Sequence, residues 1–257
     1  TTEIYTLSLH DALPIYDGDN GTVIDFVQRR GGGSLGDVRK TLREWLGSPR
    51  PPVPIKNYSP ALIPLEKNLA AVLKTYETAN YTVNVPYLAA RGLNTEVLKQ
   101  KEFMGRFKID KRNNVLFPHY NQNGLCGYEI KNTNFTGFAS GGIKGLWYSL
   151  CRKTDTNLVF TESAIDGISY HVLNPDPNTR YMSTGGSMNP QQPELIRAAI
   201  KHMPKGSVLV LAFDNDDGGE KITHEVKELI PAGVEYVRPL PPVGKDWNDT
   251  LKEQFDL

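Results

Sequence analysis

Cysteine is nearly missing: Cys126 and Cys151 are the only two in 257 residues, and no C-x-x-C occurs. A disulfide framework or a zinc ribbon needs more than this. The pair reads as buried or free thiols of a reducing cytoplasm, and zinc is not expected. No apolar run approaches the about 18 residues that cross a bilayer, and no basic-apolar-small leader opens the chain, so no membrane partner is expected. No G-x-x-x-x-G-K-[ST] occurs, which sets aside P-loop NTPases. An excess of one charge sign is missing too, with 29 Lys+Arg against 29 Asp+Glu. That balance hides a division: residues 1–157 carry 20 basic and 14 acidic side chains, residues 158–257 carry 9 and 15. A half able to hold phosphates precedes a half able to hold cations, the asymmetry of a nucleic-acid enzyme, although surface charge also drifts by chance.

What is there centres on Ser207-Val-Leu-Val-Leu-Ala-Phe213, which runs directly into Asp214-Asn-Asp-Asp-Gly-Gly219. Seven residues dominated by apolar side chains, without polar alternation, predict a strand covered on both faces, as in the middle of a parallel sheet. Such sheets bind ligands beyond the carboxyl ends of their strands. Asp214 and Asp216 stand two residues apart at that end and point the same way if the chain stays extended. Convergent carboxylates repel, and a cation relieves them; oxygen ligands suit Mg²⁺, with Mn²⁺ a second choice. The same residues also suit a plain strand-to-helix loop. An EF-hand loop fails at its fifth position, Gly218, and lacks a helix upstream.

A second strand-like run, Leu158-Val-Phe-Thr161, ends in Glu162 followed by Ser163-Ala-Ile-Asp166. Glu162 precedes Asp214 by 52 positions, room for two βα units, which would bring both acids to one sheet edge. The pattern of a strand ending in Glu and a later strand ending in Asp214-Asn-Asp216 resembles the Toprim domain of bacterial primases, topoisomerases and certain nucleases.

Taken in order, residues 1–15 show no sustained period and read as a non-native leader resembling translated sequencing adapter. Residues 16–48 contain Gly21-Thr-Val-Ile-Asp-Phe26 and a helix-spaced set, Leu35, Val38, Leu42 and Trp45, capped by Ser34. This resembles the segment that leaves the zinc ribbon of primase-like proteins, so the sequence is expected to be the later part of a longer gene product. Six prolines between 49 and 64 predict an extended linker. Helices are expected over 66–78, 86–91 and 95–100, and a meander of strands over 106–109, 115–120 and 125–131. Beyond Glu162, helices are expected over 164–173, 192–202 and 220–230 and strands over 181–183 and 235–238.

Within 65–157, Tyr87-Leu-x-x-Arg91-Gly-Leu93, Val115-Leu-Phe-Pro118 and Lys144-Gly-Leu-Trp-Tyr148 resemble the N-terminal half of a bacterial primase core, in the form found on plasmids and mobile elements. The implied fold is an α+β primase-core-like region followed, over 158–257, by an α/β Toprim domain with a central, mainly parallel sheet. The implied site has Glu162, Asp214 and Asp216 as catalytic acids and Glu162, Asp214, Asp216 and Asp246 as metal ligands. Glu162 is either a ligand or the group that handles a proton. Arg91, Lys131 and Lys144 are nominated for template or nucleotide phosphates; read alone, each is a solvated surface charge. Asp166 is a second acid or a first-turn helix carboxylate, and Gly185 and Gly186 serve close approach to a ligand or a tight turn. Gly244-Lys-Asp246-Trp-Asn-Asp249 matches the segment closing the acidic site, except that primases usually have Pro and an acid where Trp247 and Asn248 stand. Either Asp249 takes over, or one metal is held less tightly.

The expected activity is Mg²⁺-dependent, primase-like nucleotidyl transfer on single-stranded DNA in a cytoplasmic protein, with a relaxase or helicase as partner. The alternatives are a Toprim nuclease and a non-catalytic nucleic-acid-binding accessory.

Overall fold

The structure is a computed structural model that describes residues 22–47 and 67–256. The leader over 1–15 and the proline-rich linker over 49–64 lie outside the described residues. The chain divides into two bodies, residues 1–63 and 64–257. In the first, α1 (Val23–Gly31) and α2 (Leu35–Trp45) are both started by capping boxes. Ser34 accepts from the amide of Asp37, whose carboxylate accepts from the Ser34 amide at 2.9 Å, so two orphan donors are satisfied reciprocally.

The second body opens with α3 (Leu69–Glu77), α4 (Pro86–Ala89) and α5 (Thr95–Leu98). Pro86 starts α4 because its missing N–H costs nothing at a first helical position. Asn94 starts α5 by accepting from the amides of Glu96 and Val97. An antiparallel sheet follows, in the order β1 (Lys108–Ile109), β2 (Val115–Asn121), β3 (Gly124–Asn132) and β4 (Phe135–Phe138).

A five-stranded sheet follows, built from β5 (Trp147–Tyr148), which lies ahead of the acidic half, and from β6 (Asn157–Thr161), β7 (Thr179–Ser183), β8 (Val208–Leu211) and β9 (Glu235–Val237), ordered β5-β7-β6-β8-β9. All neighbours run parallel except β5 with β7, so the expected mainly parallel sheet is present. Helices α6 (Ala164–Leu173), α7 (Gln192–Lys201) and α8 (Asp217–Lys227) connect its strands, and α9 (Trp247–Gln254) closes the fold. Leu209, Val210 and Leu211 are buried, as their lack of polar alternation requires of a strand covered on both faces.

One apolar core joins the two regions: Leu88, Leu93, Phe103 and Phe117 pack in the same cluster as Trp147, Ile168, Tyr181, Trp247 and Leu251. A second cluster, with Leu158, Phe160, Leu211, Phe213 and Ile222, lies with α7 and α8. His171 sits at the edge of the joint core, its Nδ1 3.0 Å from the Tyr181 hydroxyl and its Nε2 2.5 Å from Gln100 Oε1. Burial holds its pKa below the ordinary 6.5. A depressed imidazole stabilises the fold above the unfolded value and loses that contribution as pH falls, because the unfolded chain then binds the proton more readily. The unsubstituted protein is therefore expected to lose stability relative to His171→Gln as the pH falls below about 6.5, read as the change with pH in the difference between their circular dichroism melts.

Candidate acidic active site

Strand β6 ends at Thr161 and delivers Glu162; β8 ends at Leu211 and, after buried Ala212 and Phe213, delivers Asp214. The two strands are parallel neighbours in the register Phe160↔Leu211, so both acids leave from the same edge. The first turn of α6 adds Asp166, whose Oδ2 accepts from the Ser163 hydroxyl at 2.6 Å while Ser163 caps the helix. Asp246 caps α9, accepting from the amide of Asp249 at 2.7 Å. Glu162, Asp166, Asp214 and Asp246 line one cleft of about 160 Å³, together with Arg91 and Lys131.

Four carboxylates around so small a space repel. Burial pushes the Asp214 pKa up to about 8, reinforced by the charges of Asp166, Glu162 and Asp246 and only partly offset by Lys245. Asp166 is raised by burial and by Asp246, and Glu162 by burial, with Lys245 opposing and Asp216 adding to the rise. Asp214 Oδ1 is buried without a hydrogen-bond partner. An orphaned carboxylate oxygen beside three further carboxylates is a donor set that a hard divalent cation fits. Among the described residues, no group of three or more His, Cys, Asp or Glu side chains is placed so that it could hold a metal ion as it stands, so a cation would have to draw these carboxylates together.

Asp216 neighbours these acids without lining the cleft. It caps α8, accepting from the amide of Gly219 at 2.8 Å. The Lys245 ammonium lies 2.8 Å from Asp216 Oδ2 and 3.7 Å from Asp214 Oδ2, so a lysine charge bridges the two aspartates. Its hydrogen bond, with that of the Gly219 amide, holds Asp216 below the ordinary aspartate range. Asp249 pairs with Lys252 at 2.9 Å, which lowers its pKa, and is likewise outside the cleft lining.

Of the three nominated cations, Arg91 and Lys131 line the cleft. Lys131 also lies 3.4 Å from Glu129, a buried carboxylate held on its other oxygen by His119 at 3.2 Å. Lys144 donates to the Ser187 carbonyl at 3.0 Å, and burial lowers its pKa against the opposing charges of Glu129 and Glu162. Gly185 and Gly186, both with positive φ, fold their amides onto the Glu162 carbonyl at 2.8 and 3.0 Å. A Cβ on Gly185 would lie 2.7 Å from His119, so this loop needs glycine there for space as well as conformation.

Three residues that support the cleft carry no sequence signal of their own. Asn248 donates to the Arg91 carbonyl at 2.7 Å and to Ser169 at 3.0 Å, and accepts from the Arg91 guanidinium at 3.2 Å. It fixes Arg91 across the interface of the two regions. Trp247 donates its indole N–H to the Ala212 carbonyl at 3.0 Å and packs edge-on against Tyr170. The Arg238 guanidinium donates to the carbonyls of Leu211, Phe213 and Asp214 and to Glu220, tying down the backbone on which Asp214 sits. Arg238→Met is expected to lower the unfolding free energy by about 2–3 kcal/mol in urea titrations, since several carbonyls lose a charged donor at once.

Residues 159–251 match a family described as Toprim-like. The likeness to Toprim lies in that stretch alone, 93 of the 257 residues. Ahead of that stretch, residues 86–155 match a protein family of unknown function, DUF3991. The DNA helicase/primase of Enterobacteria phage T3 is 27% identical to this chain over 157 residues, 60% of this chain and 27% of the relative, so the match spans about a quarter of that relative's length. The primase fragment of the bacteriophage T7 primase-helicase protein is similar with a TM-score of 0.47 at 20% identity, over 70% of this chain and 76% of that one. The RNA polymerase domain of the Mycobacterium tuberculosis primase DnaG is similar with a TM-score of 0.34 at 13% identity, over 58% and 56% of the two chains. Among the described residues, no helix is long and apolar enough to cross a membrane.

Proposed function

We propose that the protein is a primase-like nucleotidyltransferase that joins nucleotides on single-stranded DNA. The observation that carries this reading is the convergence of Glu162, Asp166, Asp214 and Asp246 with Arg91 and Lys131 on one cleft. Phosphoryl transfer requires phosphate charge to be neutralised while attacking and leaving oxygens are held in line. Asp214, Asp246 and Glu162 are the residues that would hold Mg²⁺ or Mn²⁺, and Asp166 sits beside them as a fourth acid. When bound, such an ion neutralises phosphate oxygens and lowers the pKa of an attacking hydroxyl. Asp216, held by Lys245 and by its helix, serves this arrangement by keeping the Lys245 ammonium next to Asp214.

Arg91 is the stronger of the two cleft cations for phosphate recognition. Its planar guanidinium can engage two phosphate oxygens, and Asn248 fixes its direction beforehand. Lys131 supplies a point charge from the antiparallel sheet, aimed by Glu129. The raised pKa of Asp214 means that occupation by a cation displaces a proton, so the metal and a proton compete for this carboxylate. A helicase is the proposed working partner, in line with the helicase/primase name of the phage T3 relative.

The test is dinucleotide and primer synthesis by the full-length gene product with single-stranded DNA, ribonucleotides and Mg²⁺. Products that vanish on adding EDTA are expected. Shortening of labelled template without new product would point to a nuclease instead, and neither product nor cleavage would leave only nucleic-acid binding.

A further inference from the structure

The end of the five-stranded sheet opposite the acids carries a second and larger concavity. It lies at the amino ends of β8 and β9, bounded by the last turns of α7 and the segment leading into β9, and encloses about 620 Å³. That volume lies in the range of formed binding pockets. Its floor is aliphatic, with Ile200, Leu209 and Leu229 all buried. One rim is basic: Arg197 and Lys201 stand one turn apart on α7, and Lys205 follows in the turn before β8. Arg197 is paired with Glu194, but Lys201 and Lys205 have no ion-pair partner among the described residues. Glu235 is the one carboxylate among the residues lining the cleft. Ser207, only 7% exposed, also lines it, and its hydroxyl oxygen has no hydrogen-bond partner.

We propose that this cleft docks a short acidic peptide segment of a protein partner, with an aliphatic or aromatic anchor residue on the floor and its carboxylates on Lys201 and Lys205. The chemistry of the lining selects this occupant. Single-stranded nucleic acid also seeks lysines, but it binds by stacking bases on aromatic rings, and no Phe, Tyr, Trp or His lines the cleft. A sugar–phosphate backbone has nothing to place on an aliphatic floor, and a free phosphate would leave that floor empty. An acidic peptide with an apolar anchor uses both surfaces: burial of the anchor supplies affinity, and the unpaired lysines set orientation and rate of encounter. Because Glu162 and Asp214 leave from the opposite end of the same sheet, an occupant here keeps that cleft open. The inference does not depend on which reaction the acids perform.

The experiment is selection of random heptapeptides displayed on phage against the immobilised full chain, followed by fluorescence anisotropy with a fluorescein-labelled copy of the enriched peptide. Enrichment of Asp or Glu beside Leu, Ile or Phe is expected. The double variant Lys201→Glu with Lys205→Glu should retain its melting temperature and bind the peptide at least tenfold more weakly, while Asp214→Asn binds it unchanged. No enrichment, enrichment of neutral or basic peptides, or equal affinity in the double variant overturns the proposal. Displacement of the peptide by an oligodeoxythymidylate also overturns it, by making the rim a nucleic-acid contact.

Discussion

Asp214→Asn is expected to lower nucleotide incorporation on single-stranded DNA by about 10²–10³-fold, the scale on which removal of one preorganised charge-stabilising group acts. The loss should come without unfolding. Asp214 is buried among Asp166, Glu162 and Asp246, and burial together with their charges pushes its pKa up to about 8, so its ionised form is disfavoured. A neutral amide of the same shape removes that repulsion, so the melting temperature in EDTA at pH 8 should equal or exceed that of the unsubstituted protein. Activity falling while metal-free stability holds or rises is the signature of a group kept for function at a cost to the fold. Incorporation of labelled nucleotide, read beside a melt in EDTA, checks both halves. Undiminished incorporation would remove Asp214 from the chemistry.

Gly219→Ala should cost about as much activity without touching any acid. The first turn of α8 folds back on the end of β8 so closely that a Cβ on Gly219 would lie 2.0 Å from the Asp214 carbonyl oxygen and 2.9 Å from its amide nitrogen. Neither atom is the tip of a flexible side chain, so the backbone carrying Asp214 must move. A displacement on the order of 1 Å at a reacting group costs roughly 10²-fold in rate, and the overpacking adds about 1–3 kcal/mol of destabilisation. Gly218→Ala is the control. Its Cβ would meet Asp216 Oδ1 at 3.2 Å, a side-chain atom with room to shift, and little change in rate is expected. Equal losses in the two variants would show that the close approach of helix to strand is not what sets Asp214.

The parts of this architecture written locally are those whose cause is local. The apolar run before Asp214 marks a buried strand because both faces of a central parallel strand are covered, and β8 is bonded on one side to β6 and on the other to β9. Ser34, Asn94 and Pro86 mark helix starts because capping is a matter of adjacent residues. The helix after Asp214 begins at Asp217, earlier than the 220–230 expected from apolar spacing, because Asp216 turns its carboxylate onto the Gly219 amide. Alternation along an extended chain puts Asp214 and Asp216 on one side, and both carboxylates meet the Lys245 ammonium; Asp214 also lines the cleft, whereas Asp216 caps α8.

What could not be read locally depends on residues far apart in the chain. The bond from Arg91 to Asn248 crosses 157 positions, and the bonds from Arg238 to Asp214 and Phe213 join two loops that meet only when β9 pairs with β8. Helix α9 hides behind a polar start, Trp247-Asn-Asp-Thr250, in which only the indole is strongly apolar; its stability comes from burying Trp247 and Leu251 against the joint core. The edge strand β4 is just four residues long, with Phe135 exposed, and gives little alternation to detect.

The role of the acidic cleft is tested most directly by soaking crystals in Mn²⁺ and collecting anomalous diffraction at the manganese edge. A peak is expected within the cleft, in contact with Asp214 and with Asp246 or Glu162, and it should be lost in Asp214→Asn crystals. A peak confined to another face of the molecule, or none at saturating Mn²⁺, would contradict a metal-holding role for these four carboxylates.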